Sequence, residues 1–165
     1  MYKHILLPTD GSALSTRAVR EGIRLARAVG ARVTGLHVTP VVASGALEEW
    51  SRQKTGSGAR LAAVFDRLAK RYVAEIAATA AKAGVRCTCL RASSNSPYEI
   101  ILRTAAARRC DLIYMASHGK RGASAFLPGS ETLKVLSRSP IPVLVHCMRR
   151  RPPAATRLTA KQIQQ

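Results

Sequence analysis

The sequence contains few acidic and few aromatic residues. Nine Asp and Glu residues stand against 27 Lys and Arg, so the formal net charge is +18 and the isoelectric point lies near 11.2. Aromatic residues make up 4% of the chain and hydrophobic residues 47%, so the core must be built mainly from Ala, Val, Leu and Ile. A charge of this size attracts nucleotides, nucleic acid, acidic proteins and lipid surfaces alike. The composition therefore predicts an anionic partner without identifying it.

Long apolar runs are also absent. No run approaches the roughly 20 residues that a membrane-spanning helix needs, and the N-terminal MYKHILLPTDGS turns polar too early for a signal peptide. We therefore expect a cytoplasmic protein, with one domain over residues 1–147. Residues 148–165 carry five basic residues without acidic neighbours and few apolar ones, which predicts a disordered tail.

The four cysteines do not form a Cys-x-x-Cys pair. Cys87 and Cys89 are two residues apart, so on a strand their side chains share one face. A zinc site would need better-placed ligands. We expect free thiols, most of them buried.

Apolar runs and helical periodicity alternate along the chain. The pattern predicts strands over 3–7, 32–38, 85–90, 112–115 and 141–146, and helices over 12–29, 59–83, 97–109 and 130–137. Gly30 and Gly84 are expected to end two of these helices, and Ser96-Pro97-Tyr98-Glu99 predicts a capping box. Residues 39–58 form a long connection. Alternating strands and helices indicate a single doubly wound α/β domain, with a five-stranded parallel sheet covered by helices on both faces.

The segment after the fourth strand has the order strand, glycine-rich basic loop, helix N-terminus. Gly119, Gly122 and Gly129 would permit positive φ angles and close approach of a ligand, while Lys120 and Arg121 add positive charge. Backbone N–H groups at the start of the helix would point at an anion, as in phosphate cradles. An ordinary strand-to-helix connection with glycines explains the same pattern equally well.

Several motifs give this chain a family resemblance. Ala116-Ser-His-Gly119, nine residues and then Gly129-Ser130 resembles the nucleotide loop of universal stress proteins, whose ATP-binding members carry Gly-x-x-Gly, nine residues, Gly-Ser/Thr. The segments HILLPTDGS, LHV, SPYEII, GSETLKVL and SPIPVLV also resemble the family, in the same order. Ala116 stands where the ATP-binding pattern has its first glycine. This departure matters only if the backbone at that position needs a positive φ.

The resemblance implies strand order 3-2-1-4-5, an adenine-nucleotide α-hydrolase-like fold, and a nucleotide site between strands one and four. Independently, ligands of doubly wound sheets bind beyond the carboxyl ends of the strands, where the strand order reverses. The loops that follow strands one and four thus select one crevice. The predicted nucleotide-binding residues are Pro8, Thr9, Asp10, Val38, Ala116, Ser117, His118, Gly119, Lys120, Arg121, Gly122, Gly129, Ser130, Glu131 and Thr132.

Four of these residues have a structural explanation as well as a role in nucleotide binding. The resemblance places Asp10 at the adenine and ribose end, although an Asp in Thr-Asp-Gly-Ser also forms turns. Val38 would present backbone groups to the adenine edge, or simply pack in the core. Ser130 would contact phosphate, cap its helix, or do both. His118 would contact phosphate or ribose, or be an ordinary loop histidine.

The function that we expect is binding of ATP, with or without Mg2+, by a stress-response or signalling module. Neither Gly-x-x-x-x-Gly-Lys-Ser/Thr nor Gly-x-Gly-x-x-Gly occurs in the chain, and no base with a metal site can be assembled, so we do not expect an efficient enzyme. The resemblance also implies a homodimer paired through strand 141–146. The alternative is a basic protein that binds nucleic acid or an acidic protein, with a vestigial nucleotide loop.

Removal of residues 149–165 should leave folding and nucleotide binding intact, because this segment has few apolar residues to pack. It should weaken salt-sensitive binding to polyanions, since the positive charges of Arg149, Arg150, Arg151, Arg157 and Lys161 are lost. Thermal unfolding and heparin chromatography of the full and shortened chains would measure both effects. A loss of more than about 1 kcal/mol of stability, a large fraction of a typical total, would show that the segment docks on the domain.

Overall fold

The computed structural model describes residues 1–41, 57–117 and 129–147, with side chains from Arg60 onward in the second of these segments. The described part contains five strands and four helices. In chain order they are β1 (His4–Thr9), α1 (Ala13–Val29), β2 (Arg32–Thr39), α2 (Ser57–Lys82), β3 (Cys87–Ser93), α3 (Pro97–Ala107), β4 (Leu112–Ala116), α4 (Ser130–Arg138) and β5 (Val143–His146). The predicted connection over 39–58 and the predicted tail lie largely outside the described residues.

The five strands form one parallel sheet in the order β3-β2-β1-β4-β5, which confirms the predicted topology. The chain starts at the centre of the sheet, builds outward to β3, and returns to build β4 and β5 on the other side. The strand order therefore reverses between β1 and β4, as the doubly wound layout requires.

Two hydrophobic layers cover the two faces of the sheet. Helices α1 and α2 pack on one face, where Ile5, Leu7, Val33 and Tyr114 of the sheet meet side chains such as Ile76. Helices α3 and α4 pack on the other face, in a cluster that consists of Leu6, Leu36, Ile101, Ala105, Cys110, Ile113, Met115 and Val135. Successive residues of β1 alternate between the two layers, because side chains on a strand point to opposite faces.

Local signals set both ends of α1. The hydroxyl of Ser12 accepts a hydrogen bond from the N–H of Ser15 (3.1 Å), so Ser12 is the N-cap rather than the first helical residue. Gly30 ends the helix in the left-handed conformation (φ 69°), as predicted, and its N–H returns to the carbonyl groups of the last turn.

The third strand begins later than predicted, because Val85 is part of the C-terminal cap that follows α2. Gly84 has a φ of 68° and the N–H of Val85 bonds the Ala80 carbonyl oxygen (2.9 Å), which closes the helix. Val85 is apolar because it packs in the core, not because it lies in a strand. The strand then runs on to Ser93, which pairs with Thr39.

The predicted capping box at α3 is wrong. Pro97 is the first helical residue, but the Ser96 side chain makes no cap hydrogen bond, and Glu99 accepts one from the hydroxyl group of Tyr98. The helix ends at Ala107, two residues before the predicted end, and Arg109 turns the chain with a φ of 53°. Strand β5 begins at Val143 rather than Ile141, since Pro142 has no N–H to donate to a ladder.

The cysteines are free thiols, as predicted, but only Cys110 is buried. Cys87 and Cys89 share one face of β3, with their sulfur atoms 3.7 Å apart. Among the described residues no cluster of ligating side chains could hold a metal ion, and no described helix could cross a membrane.

A carboxylate fixes the start of the central strand. Asp111, just before β4, accepts hydrogen bonds from the backbone N–H groups of Lys3 (2.7 Å) and His4 (2.9 Å). Burial by itself raises the pKa of Asp111, but the hydrogen bonds from the backbone of His4 and Lys3 outweigh it and hold this pKa below its ordinary value. A depressed pKa means that the ionised carboxylate stabilises the folded state.

Replacement Asp111→Ala should lower the free energy of unfolding by about 1–2 kcal/mol near neutral pH, because two N–H groups lose an ionised acceptor. The contribution of Asp111 is present above its unfolded pKa and disappears as the pH falls through the lower folded value. The gap between the two proteins should therefore close in acid, as urea unfolding at several pH values would show. Glu21→Ala, which removes an exposed ion pair to Arg24, is the control and should change little. A gap that is independent of pH would contradict this role of the charge.

Candidate functional site

A crevice opens where β1 and β4 part. The β1–β4 ladder pairs only Ile5 with Leu112 and Leu6 with Ile113, whereas β1 pairs with β2 along its whole length. The carbonyl oxygen of His4 accepts a hydrogen bond from the backbone N–H of Asp111, just before β4. The backbone N–H and C=O groups of every second residue of β1, counted from His4, therefore point toward β4. Pro8 has this parity but lacks the N–H that a further ladder bond would need. The proline thus helps to end the ladder and leaves a gap between the strand ends.

The loop after β1 folds on its own polar side chains. The N–H of Gly11 donates to the hydroxyl of Thr9 (3.1 Å), and the N–H of Ser12 donates to the carboxylate of Asp10 (3.0 Å). The turn-forming role of Asp10 is therefore present in the structure. One carboxylate can serve both the turn and a ligand, because each of its oxygens accepts more than one hydrogen bond.

Two aromatic residues, not predicted from the sequence, close the β1 side of the crevice. His37 pairs with Thr9 across the β1–β2 ladder, and its Nδ1 lies 2.8 Å from the Thr9 carbonyl oxygen. The ring of Tyr72, from α2, packs edge-on against His37 and lies directly over Gly11. Any side chain at position 11 would collide with Tyr72, and Gly11 also has a φ of 75°. His37 lies four residues after Val33 on the same strand, so its side chain is on the same face of the sheet, and this could have been predicted. Nothing in the sequence links Tyr72 to the loop.

The β4 side of the crevice joins β4 directly to the start of α4. The Thr132 hydroxyl donates to the carbonyl oxygen of Ala116 (3.0 Å), and the N–H of Gly129 donates to the carbonyl oxygen of Ser117. Ser117 and Thr132 are both buried. These two bonds hold the first turn of α4 beside the carboxyl end of β4, as the predicted cradle requires.

The N-terminus of α4 is uncapped within the described residues. Gly129 is the N-cap and offers no side chain, so the alternative that Ser130 caps the helix is wrong; Ser130 is the first helical residue. The carboxylate of Glu131 accepts from the N–H of Tyr98 at the start of α3 (2.9 Å) and from Lys134 (2.8 Å). By contrast, the Ser12 hydroxyl accepts from one first-turn N–H group of α1, that of Ser15. The first-turn N–H groups of α4 have no hydrogen-bond partner among the described residues, which makes them candidates for binding an anion.

Neither Gly129 nor Ala116 has a positive φ. Gly129 has a φ of −58°, so it does not need the freedom of glycine in its backbone angles, and close approach of another group is the remaining reason for a glycine there. Arg109 is the only non-glycine residue with a positive φ in the described segments, so Ala116 has an ordinary conformation and the missing first glycine is not required there. Val38 is half-buried near the end of β2 and pairs with Ala92. His118, Gly119, Lys120, Arg121 and Gly122 lie outside the described residues.

A separate cavity of about 240 Å3 lies between α1 and α2. Thr9 and Tyr72 line both this cavity and the β1 side of the crevice, while Arg20, Glu75 and Lys82 line its outer part.

The fold and this crevice define a doubly wound α/β protein with a helix start, uncapped within the described residues, at its topological switch point. A sequence profile of the universal stress protein family matches residues 1–146, and the chain belongs to that family. A curated relative, the universal stress protein MJ0531 of Methanocaldococcus jannaschii, is 29% identical over 151 residues, with 88% of this chain and 82% of the relative covered.

Solved structures of similar proteins have the same fold. The protein MJ0577, whose structure was used to assign its biochemical function, is 28% identical with a TM-score of 0.74, covering 91% of this chain and 99% of that one. Two more distant universal stress proteins share the fold. One was solved with cAMP (22% identical, TM-score 0.60, covering 88% and 97%). The other, from Archaeoglobus fulgidus, was solved with dAMP (18% identical, TM-score 0.61, covering 87% and 97%).

Proposed function

We propose that this protein is a cytoplasmic stress-response module that binds ATP in the crevice between β1 and β4. The phosphates would lie at the start of α4, and the base and ribose would lie toward Asp10 and the end of β2. Binding would act as a signal or protect the protein, and not as a step of efficient catalysis. No described residue combines a positioned base with a metal site, and Mg2+ would arrive with the nucleotide.

One observation carries the proposal: α4 begins directly beside the carboxyl end of β4, and its first-turn N–H groups have no partner in the described part of the chain. The bonds from Thr132 to Ala116 and from Gly129 to Ser117 fix that geometry without using the first-turn N–H groups of α4. Related proteins solved with cAMP and dAMP support an adenine nucleotide as the ligand. Asp10, at the opposite side of the crevice, would repel phosphate and is suited to the hydroxyl and amino groups of the nucleoside.

Saturating ATP should stabilise the fold by mass action, by about 2.7 kcal/mol at one hundred times the dissociation constant. Gly129→Val should abolish the resulting rise in melting temperature. Valine tolerates a φ of −58° and a ψ of 155°, so it should fold, but its branched side chain would stand between the ligand and the helix start. Ser137→Val, exposed near the other end of α4, is the control and should keep the ATP response.

Variants of Asp10 and Ala116 locate the two ends of the nucleotide. Asp10→Asn keeps an oxygen for the N–H of Ser12 and should weaken ATP binding while leaving the response to inorganic triphosphate unchanged. Ala116→Gly should bind equally or more tightly. Each variant is compared with its own ligand-free melting temperature. If the wild-type chain shows no shift with millimolar ATP, with and without Mg2+, the proposal is wrong and a basic interaction protein takes its place.

We also propose a homodimer paired through β5. This strand lies at the edge of the sheet and leaves Leu144 39% exposed, and an apolar edge favours pairing with another strand. Light scattering at micromolar concentration should give twice the chain mass. Leu144→Lys should shift it toward the monomer, whereas Val64→Lys, at a position on α2 that is 46% exposed, should not. A monomeric mass for the wild-type chain would contradict the dimer.

A further inference from the structure

A second concentration of polar groups lies at the opposite end of the sheet from the crevice. His4 pairs with Arg32 across the β1–β2 ladder, and the N–H of Val33 donates to the carbonyl oxygen of Arg86, so Arg32 in β2 and Arg86, just before β3, lie side by side. Both have the same parity as the paired residues Thr34 and Thr88 and therefore share their face of the sheet. The amino ends of three strands thus bring one histidine and two arginines into a row.

Helix α3 adds two more arginines to this row. It ends at Ala107, and Arg108 and Arg109 follow before the chain enters β4. Together with the three strand ends they enclose a groove of about 490 Å3, whose lining is Val33, Cys87 and Ala107 with the polar residues His4, Arg32, Thr34, Arg86, Thr88, Arg108 and Arg109. We call this site the arginine groove. Its volume lies in the range of small-molecule sites.

None of the four guanidinium groups has an acidic partner in the described parts of the chain. All seven carboxylates described there have other partners. Asp111 lies beside the groove, but it accepts hydrogen bonds from the backbone N–H groups of Lys3 and His4, and Asp66 pairs with Lys70 and Arg91. Four like charges around one groove repel one another, and an anion between them would relieve that repulsion.

The floor of the groove supplies polar groups but little charge. His4 is buried, with its Nε2 2.8 Å from the Thr34 hydroxyl, and its Nδ1 makes no hydrogen bond to the residues that the structure describes. Burial and the neighbouring Arg32 lower the pKa of His4, so the imidazole is neutral at pH 7. Thr88 is exposed and its hydroxyl lies on the groove wall. The cationic groups are thus confined to the rim, and the floor offers hydroxyl and imidazole groups.

We propose that the arginine groove binds a small molecule with two or more phosphoryl groups, at a site separate from the nucleotide crevice. Guanidinium groups match phosphate oxygens in pairs, and four of them neutralise the charge of a diphosphate. The volume favours a compact ligand over a long polymer. The nucleotide crevice lies at the carboxyl ends of the strands, so both sites can be filled at once.

Isothermal titration of the full chain with sodium diphosphate, in the absence of ATP, tests the proposal. The double variant Arg86→Gln/Arg108→Gln should bind diphosphate at least about tenfold more weakly than wild type. The control Arg67→Gln/Arg103→Gln removes the same charge from exposed positions that do not line the groove, and should change affinity less than about twofold. Without ligand the groove variant should melt at the same temperature as wild type or slightly higher, since repulsion is reduced.

Three results would overturn the proposal. Equal weakening in both double variants would mean that diphosphate responds only to the overall charge. Loss of the signal in Gly129→Val, with the groove variant unaffected, would assign diphosphate to the crevice instead. A single-stranded oligonucleotide that binds through Arg86 and Arg108 while diphosphate does not would identify a nucleic-acid surface rather than a small-molecule site. Failure of ATP binding alone leaves the groove testable, because the titration does not depend on ATP.

Discussion

The short ladder between β1 and β4 is the feature on which the rest of the architecture depends. Two strands that pair at their beginnings and separate after Leu6 and Ile113 leave room between their ends. Helix α1 follows β1 and packs on one face of the sheet, and α4 follows β4 and packs on the other. The starts of both helices therefore lie beside the same gap. Pro8 contributes by lacking a ladder donor. Loop chemistry on either side can vary while this separation is kept.

Topology could be predicted from the sequence, because it depends on periodic patterns and on rules of handedness and strand order. Element boundaries could not always be predicted. Val85 looks like the start of a strand but is the apolar residue that follows a glycine cap, and Glu99 looks like half of a capping box but bonds Tyr98. In each case a hydrogen bond to a neighbour decided between two local structures that the same residue types permit.

The candidate site was predicted in part. The loop after β1 and the start of α4 could be predicted from the order of elements along the chain, since the loop follows a central strand and α4 is the next helix after β4. Tyr72 was missed because it enters the site from α2, more than sixty residues beyond Gly11, and only tertiary packing connects the two. The predicted positive φ at Gly129 is also wrong, because the sequence does not distinguish a glycine needed for its backbone angles from one needed for its small size.

The carboxylates of this chain also decide how it behaves as a polyelectrolyte. Nine acidic residues stand among 27 basic ones, and all seven acidic residues that the structure describes already have hydrogen-bond or ion-pair partners. The excess positive charge therefore has few internal counterions and opposes the compact state. Dissolved salt should then stabilise the native protein by screening, the reverse of its effect on a fold held by ion pairs. In a cell, nucleotides and other phosphate esters would act as its counterion atmosphere as well as its ligands.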